Sequence, residues 1–238
     1  VSSPYQTLKE EAWRANLEIP RHGLALFTWG NVSAYDAARA VFAIKPSGVP
    51  YDKLKVDDLV VLDLEGRIIE GNLRPSSDTP THRMLYRSFT GIGGIVHTHS
   101  TYATAWSQSQ QNLPVWGTTH ADYSPAEIPC TPVLSPEQVK GDYEWETGVS
   151  IVDIFLHANP PRDPAITPMV LLGGHAPFTW GENAEKAVHH AVVLEEIAKM
   201  AILTRMASGT QPVAGLPSHV IAKHYERKHG PGAYYGQN

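Results

Sequence analysis

An α/β fold is predicted for this chain, on three observations. Strand-like and helix-like patterns alternate along the whole length. No internal repeat is visible. No shift in composition marks a boundary, so residues 1–238 are read as one domain.

The elements follow in order. Ser3-Pro4 has the form of an N-cap followed by proline in the first helical turn. Leu8, Ala12, Ala15 and Ile19 then recur at roughly helical spacing until Pro20. Val41 to Lys45 has strand character, and Leu59 to Asp63 with Arg67 to Glu70 reads as a hairpin around Glu65-Gly66. Thr79-Pro80 opens a helix with Met84, Leu85 and Phe89 as core candidates, and Gly91 to Gly94 ends it. An apolar run, Ile92 to Val96, leads into His97 and His99. A short helix is expected over 102–109, strands and loops over 112–143, and a helix over 146–155. Pro160, Pro161, Pro164 and Pro168 make 157–168 an exposed loop. Met169 to Leu172 and Pro177 to Trp180 form a strand pair interrupted by Gly173-Gly174. Asn183 to Met206 is the longest helical pattern; a linker over 211–217 and a last helix over 218–228 follow.

Composition excludes several classes. The chain is 42% hydrophobic and 18% charged, an ordinary globular balance. A net charge of -5 offers no basic surface for nucleic acid. No apolar run approaches a membrane span, and no signal-peptide pattern is visible, so the cytoplasm is the expected compartment. Cys130 is the only cysteine, which rules out an intrachain disulfide. Twelve histidines argue mildly for metal or proton chemistry.

The histidines carry the sharpest signal. In a strand, alternate side chains leave on one face, so His97 and His99 would project side by side. His175 stands after two glycines between predicted strands. Asp78 begins the helix that precedes the histidine pair. Three histidines and a carboxylate make a reasonable Zn²⁺ set. On its residues alone, Asp78 reads first as a helix-start carboxylate. Pro75-Ser76-Ser77-Asp78-Thr79-Pro80 offers hydroxyls and free N–H groups at a helix N-terminus, a favourable anion site. Lys45-Pro46-Ser47-Gly48 and the small polar turn Gly30-Asn31 are further candidates. Together they suggest a phosphate-bearing small substrate. His120-Ala121-Asp122-Tyr123 and the tail from His224 to Gly236 hold possible acid–base groups.

These blocks, taken together, resemble the class II aldolase/epimerase family. The resemblance spans nearly the whole chain. It is carried by Thr28-Trp-Gly-Asn-Val-Ser33, Ile44-Lys-Pro-Ser-Gly48, Pro75-Ser-Ser-Asp-Thr-Pro-Thr-His82, Gly93-Gly-Ile-Val-His-Thr-His-Ser100 and Gly117-Thr-Thr-His-Ala-Asp-Tyr123. It continues in Gly141-Asp-Tyr-Glu-Trp-Glu-Thr-Gly148, His175-Ala-Pro-Phe-Thr-Trp-Gly181, Lys223-His-Tyr-Glu-Arg-Lys-His-Gly230 and Ala233-Tyr-Tyr-Gly-Gln237.

The resemblance implies a three-layer fold with a mixed, largely antiparallel sheet between helices. It implies a homotetramer whose active sites lie at subunit interfaces, with a C-terminal helix and tail, about 218–238, completing a neighbour's site. It implies Zn²⁺ held by His97, His99 and His175, with Asp78 at or near the metal. It implies phosphate binding by Ser47, Gly48, Ser76 and Ser77 beside Asn31 and Lys45. Asp122, and Tyr235 from the adjacent subunit, would transfer protons, and His224 would line the site. The implied reaction interconverts L-ribulose 5-phosphate and D-xylulose 5-phosphate through cleavage and re-formation of the C3–C4 bond. The alternatives are aldol cleavage of a sugar phosphate, in which a glutamate would replace Asp78, and a non-catalytic adducin-like domain, which would have lost metal ligands.

Overall fold

The structure is a computed structural model that describes residues 3–234. Helix α1 (Gln6–Arg21) leads into strands β1 (Asn31–Asp36), β2 (Val41–Ile44), β3 (Val60–Asp63) and β4 (Ile68–Glu70). Next come α2 (Thr79–Ser88), β5 (Gly94–His97), α3 (Thr101–Gln108), α4 (Thr118–Ala121), β6 (Cys130–Thr131) and α5 (Pro136–Lys140). The order closes with α6 (Tyr143–Leu156), β7 (Met169–Leu172), β8 (Pro177–Gly181), α7 (Ala184–Ser208) and α8 (Ser218–His229).

The strands form one sheet in the order β4-β3-β2-β1-β5-β8-β7-β6. Every neighbouring pair is antiparallel except β6 with β7. Apart from the edge strand β4, whose Ile68 and Ile69 are exposed, the sheet is largely buried on both faces, and the period-2 alternation sorts its side chains between two helix layers. Val32, Ala34, Val41, Ala43, Val61 and Val96 pack with Leu8, Ala12, Ile19, Ala187 and Ala191 of α1 and α7. Phe42, Ile44, Val60, Leu62, Ile95 and Phe178 pack with Leu85 of α2 and with Ile151 and Phe155 of α6. In β7, Met169 and Leu171 turn toward Ala103 of α3 and Leu194 of α7 instead. The expected three-layer arrangement is what forms.

Several local expectations need correction. Ser3 does not cap the first helix, which begins at Gln6 behind Tyr5. The Ser3 hydroxyl instead donates to Glu70 Oε2 at 2.6 Å and accepts from the Tyr5 N–H at 3.0 Å. Pro20 sits inside the last turn of α1. The stretch 112–143 holds two short helices, α4 and α5, with only two residues of strand. Gly30-Asn31 is the entry to β1, a central strand rather than an isolated turn. Strand β1 escapes a hydrophobic reading because Ser33 occupies a fully buried position. The Ser33 hydroxyl lies 2.7 Å from both His82 Nδ1 and the Tyr86 hydroxyl, which satisfies it inside the core.

The contact between β5 and the start of α7 leaves no room for a side chain. A Cβ on Gly94 would lie 2.4 Å from Ala184 Cα and 2.5 Å from Ala184 N. Gly94→Ala should therefore destabilise the chain by about 1–3 kcal/mol, the usual cost of overpacking, read as a lowered denaturation midpoint. An unchanged midpoint would show that α7 can move off the strand freely.

Candidate active site

Strand register brings the first site residues together. His97 at the end of β5 is paired with Asn31 of β1 on one side and with Phe178 of β8 on the other. Directly opposed residues share a face, so these three side chains lie in a row on the α2 and α6 side. The His97 ring stacks on Phe178 at 4.3 Å, and its Nδ1 lies 3.0 Å from the Pro177 carbonyl. With Nδ1–H donating to that carbonyl, Nε2 keeps a free lone pair. Gly30 makes the approach of β1 possible. Its φ is +75°, and a Cβ there would sit 2.6 Å from the His97 carbonyl oxygen.

His99 lies beyond the strand, which ends at His97. The two rings still meet; their centroids are 5.0 Å apart. His175 comes from the β7–β8 turn and stands 5.2 Å from His97 and 4.9 Å from His99. One nitrogen from each of the three rings lies within 4.8 Å of the others. Burial lowers the pKa of all three, that of His175 to about 4, so each is neutral at pH 7. Three neutral imidazoles converging in this way can hold a divalent metal.

The same cleft, about 570 Å³, is lined by Asn31, Lys45, Ser47, Gly48, Ser76, Ser77 and Asp78 as well as the three histidines. Asp78 sits at the N-cap of α2 but makes no side-chain cap. Its Oδ2 accepts from Asn31 Nδ2 at 2.6 Å, and the same amide donates to Ser76 Oγ at 3.0 Å. Burial would raise the Asp78 carboxyl, yet His97, His82, the Asn31 amide and His175 together hold it below its ordinary value. The Asp78 carboxylate therefore faces the cleft rather than capping the helix it begins. The Asp78 carboxylate is not part of the converging nitrogen set itself.

Two backbone crossings fix the phosphate-type corner. The Ser47 N–H donates to Arg74 O at 2.9 Å, and the Ser76 N–H donates to Lys45 O at 3.0 Å. They clamp the Ser47-Gly48 turn against the Ser76-Ser77 turn at the head of α2. Gly48 has φ +71°. Lys45 is 1% exposed, and burial lowers its pKa to about 8, so most molecules still carry its charge at pH 7. A buried cation, two hydroxyl turns and a helix N-terminus make this corner suited to an anion.

Other expected residues lie elsewhere. Asp122 and His224 do not line the cleft; they meet each other where α8 docks on α4. Asp122 accepts from His224 Nδ1 at 3.1 Å and from Arg227 at 3.0 and 2.7 Å, with Lys228 Nζ at 3.7 Å. Tyr235 lies outside the described residues. The cleft also contains Trp29, Tyr143 and Glu144, to which the sequence reading gave no role. Their only signal was membership of the quoted motif blocks.

Residues 10–202 match the Class II Aldolase and Adducin N-terminal domain, and the chain belongs to that family. It is 50% identical over 233 residues to L-ribulose-5-phosphate 4-epimerase UlaF of Salmonella paratyphi C (strain RKS4594), covering 98% of this chain and 99% of that one. The same identity and coverage hold for UlaF of Salmonella choleraesuis (strain SC-B67). Among solved structures, an L-fuculose 1-phosphate aldolase superposes with a TM-score of 0.74 at 23% identity, covering 95% of this chain and 97% of that one. An aldolase II superfamily protein from Pseudomonas syringae gives 0.74 at 19% identity, covering 98% and 90%. These two structures bear on the fold alone.

The Asp122 cluster makes a pH-dependent latch for α8. Burial raises the Asp122 carboxyl, but hydrogen bonds from Arg227 and His224 and the charge of Lys228 outweigh it and hold the pKa low. A carboxylate depressed in the folded state contributes above its ordinary value of about pH 4 and loses that contribution as the pH falls through the depressed one. Amide exchange across residues 218–229 should be faster in Asp122→Asn than in the native chain at neutral pH. The difference should close in acid. Equal exchange at neutral pH would remove Asp122 as the latch.

Proposed function

We infer that this chain is a metal-dependent 4-epimerase interconverting L-ribulose 5-phosphate and D-xylulose 5-phosphate. The observation that carries this reading is the shared cleft: a three-histidine set and an anion corner face the same space. The relatives that match 98% of the chain at 50% identity bear that enzyme's name. Aspartate rather than glutamate at position 78 favours epimerisation over aldol cleavage.

The chemistry explains the residue set. C4 of the substrate is not adjacent to the carbonyl, so its hydrogen is not acidic. Inversion can proceed instead by opening the C3–C4 bond and closing it on the other face of the aldehyde. His97, His99 and His175 would hold Zn²⁺, which would supply Lewis-acid stabilisation of the negative charge that this opening creates. Ser47, Gly48, Ser76, Ser77 and Lys45 hold the phosphate throughout. Asn31 ties Ser76 to Asp78, and so fixes the anion corner relative to the metal side of the cleft.

Two proton-transfer groups are required, one for each orientation of the C4 oxygen. We assign them to Asp122 and Tyr235 of a neighbouring subunit in a cytoplasmic homotetramer, with His224 bonded to Asp122. Separation of the Asp122–His224 pair from the cleft of its own chain supports this arrangement. No described helix is long and apolar enough to cross a membrane.

Zinc-loaded protein incubated with L-ribulose 5-phosphate should yield D-xylulose 5-phosphate, and chelation should abolish the conversion. Accumulation of free cleavage fragments alone would favour the aldolase reading. Mixing subunits tests the interface. His97→Asn and Asp122→Asn should each be nearly inactive alone. A random one-to-one mixture should regain about one active site in four, because an intact cleft then meets an intact neighbour. No recovery in verified mixed tetramers would place both groups in one chain's own site.

A further inference from the structure

The lip of the cleft carries a large ring that the reaction above leaves without a task. Trp29 lines the cleft and is nevertheless 50% exposed. Its centroid is 6.3 Å from that of His99, and Phe27 packs edge-on against it at 5.6 Å. The backbone beneath it is pinned. The Tyr51 hydroxyl lies 2.7 Å from the Trp29 carbonyl and 2.8 Å from the Gly30 carbonyl. The Trp29 N–H donates to Leu26 O at 3.0 Å, and Gly30 is wedged under the His97 carbonyl. Phe27 has φ +55°, a conformation that non-glycine residues seldom adopt. A loop clamped and strained in this way holds an apolar ring at a fixed place beside the three histidines. Most of the other lining residues carry polar side chains.

We propose that Trp29 is a positioning residue that retains the two-carbon fragment while its aldehyde turns over. The proposal rests on the epimerase reading. Opening C3–C4 removes the C4 hydroxyl proton and leaves the bonding electron pair on the three-carbon side. Protonation of that side at C3 gives dihydroxyacetone, and the other product is glycolaldehyde phosphate. Epimerisation occurs when the bond re-forms before that protonation and before either piece leaves. Between the two events the aldehyde must rotate. A hydrogen-bonding wall would favour one orientation over the other. An indole face offers dispersion contact to both and keeps water away. The phosphate corner tethers one end of the fragment, and Trp29 closes over the other.

The test is the partition between product and escaped fragments. Native protein, Trp29→Ala, Trp29→Leu and Trp29→Phe are loaded with zinc, assayed for metal content and given L-ribulose 5-phosphate. D-xylulose 5-phosphate and free dihydroxyacetone are quantified by NMR. Fragment release per epimerisation should rise about tenfold in Trp29→Ala, the size of effect an aromatic contact commonly supplies. Metal content should be unchanged, and Trp29→Phe should restore most of the native partition. Trp29→Leu, which keeps apolar bulk, serves the same comparison if the alanine variant fails to fold. An active native enzyme whose variants partition as it does would overturn this proposal alone. A native enzyme that makes no D-xylulose 5-phosphate would overturn the epimerase reading, and this proposal with it.

Discussion

The pairing of β5 between β1 and β8 is the constraint on which the rest of the site depends. Antiparallel register sets His97 opposite both Asn31 and Phe178, so one row of backbone hydrogen bonds fixes a metal-type ligand, an amide and an aromatic support at once. A one-residue slip of β5 would turn His97 to the opposite face of the sheet, away from Asn31 and Phe178. The fit is tight at both ends of that strand. Gly30 must lack a side chain where β1 passes the His97 carbonyl, and Gly94 must lack one where α7 begins. Phe178 and the Pro177 carbonyl then set the plane and the tautomer of the ring, leaving one nitrogen available to a metal.

Electrostatics is arranged in opposite ways in the cleft and at the α4–α8 junction. In the cleft, burial keeps the three histidines neutral while Asp78 stays ionised. Lone pairs and one negative charge therefore gather where a cation would sit, and Lys45 supplies a positive charge where a phosphate would sit. At the α4–α8 junction the logic is reversed. There a single carboxylate, Asp122, gathers cationic groups from one helix, and that charge balance seats α8. Any acid–base task for Asp122 has to work through these partners.

Behind the cleft, a buried polar chain joins the sheet to α2. Ser33 of β1 meets His82 and Tyr86 on successive turns of that helix. Burial pushes the His82 pKa to about 3, so the ring stays neutral and can pair with the hydroxyl without a charge to solvate. This contact holds α2, and with it Ser76, Ser77 and Asp78, at a set distance from β1. A hydrophobic side chain at position 33 would pack the core but would give the helix no register.

The amino-acid order alone determined a single α/β domain and the chemical inventory, and the family resemblance added the three-layer arrangement. Hydrophobic periodicity located most helices and the β7–β8 pair, because those segments bury apolar faces, while the Glu65-Gly66 turn signal located the β3–β4 hairpin. The motif blocks located Asn31, Lys45, Ser47, Gly48, Ser76, Ser77, Asp78 and the histidines, and all of these line one cleft. Strand β1 was illegible because its buried serine is satisfied only by residues of a distant helix. The place of Asp78 was open for a related reason: a carboxylate at a helix start has the same local sequence whether it caps the helix or faces a cleft. Its orientation follows from the Asn31 amide across the sheet. Trp29 and Tyr143 entered the site, and Asp122 stayed outside the cleft of its own chain, through contacts between segments far apart in sequence. Local patterns record which face a residue must bury. Which residues meet there is decided by strand register and helix docking, both of which form only when the whole chain packs.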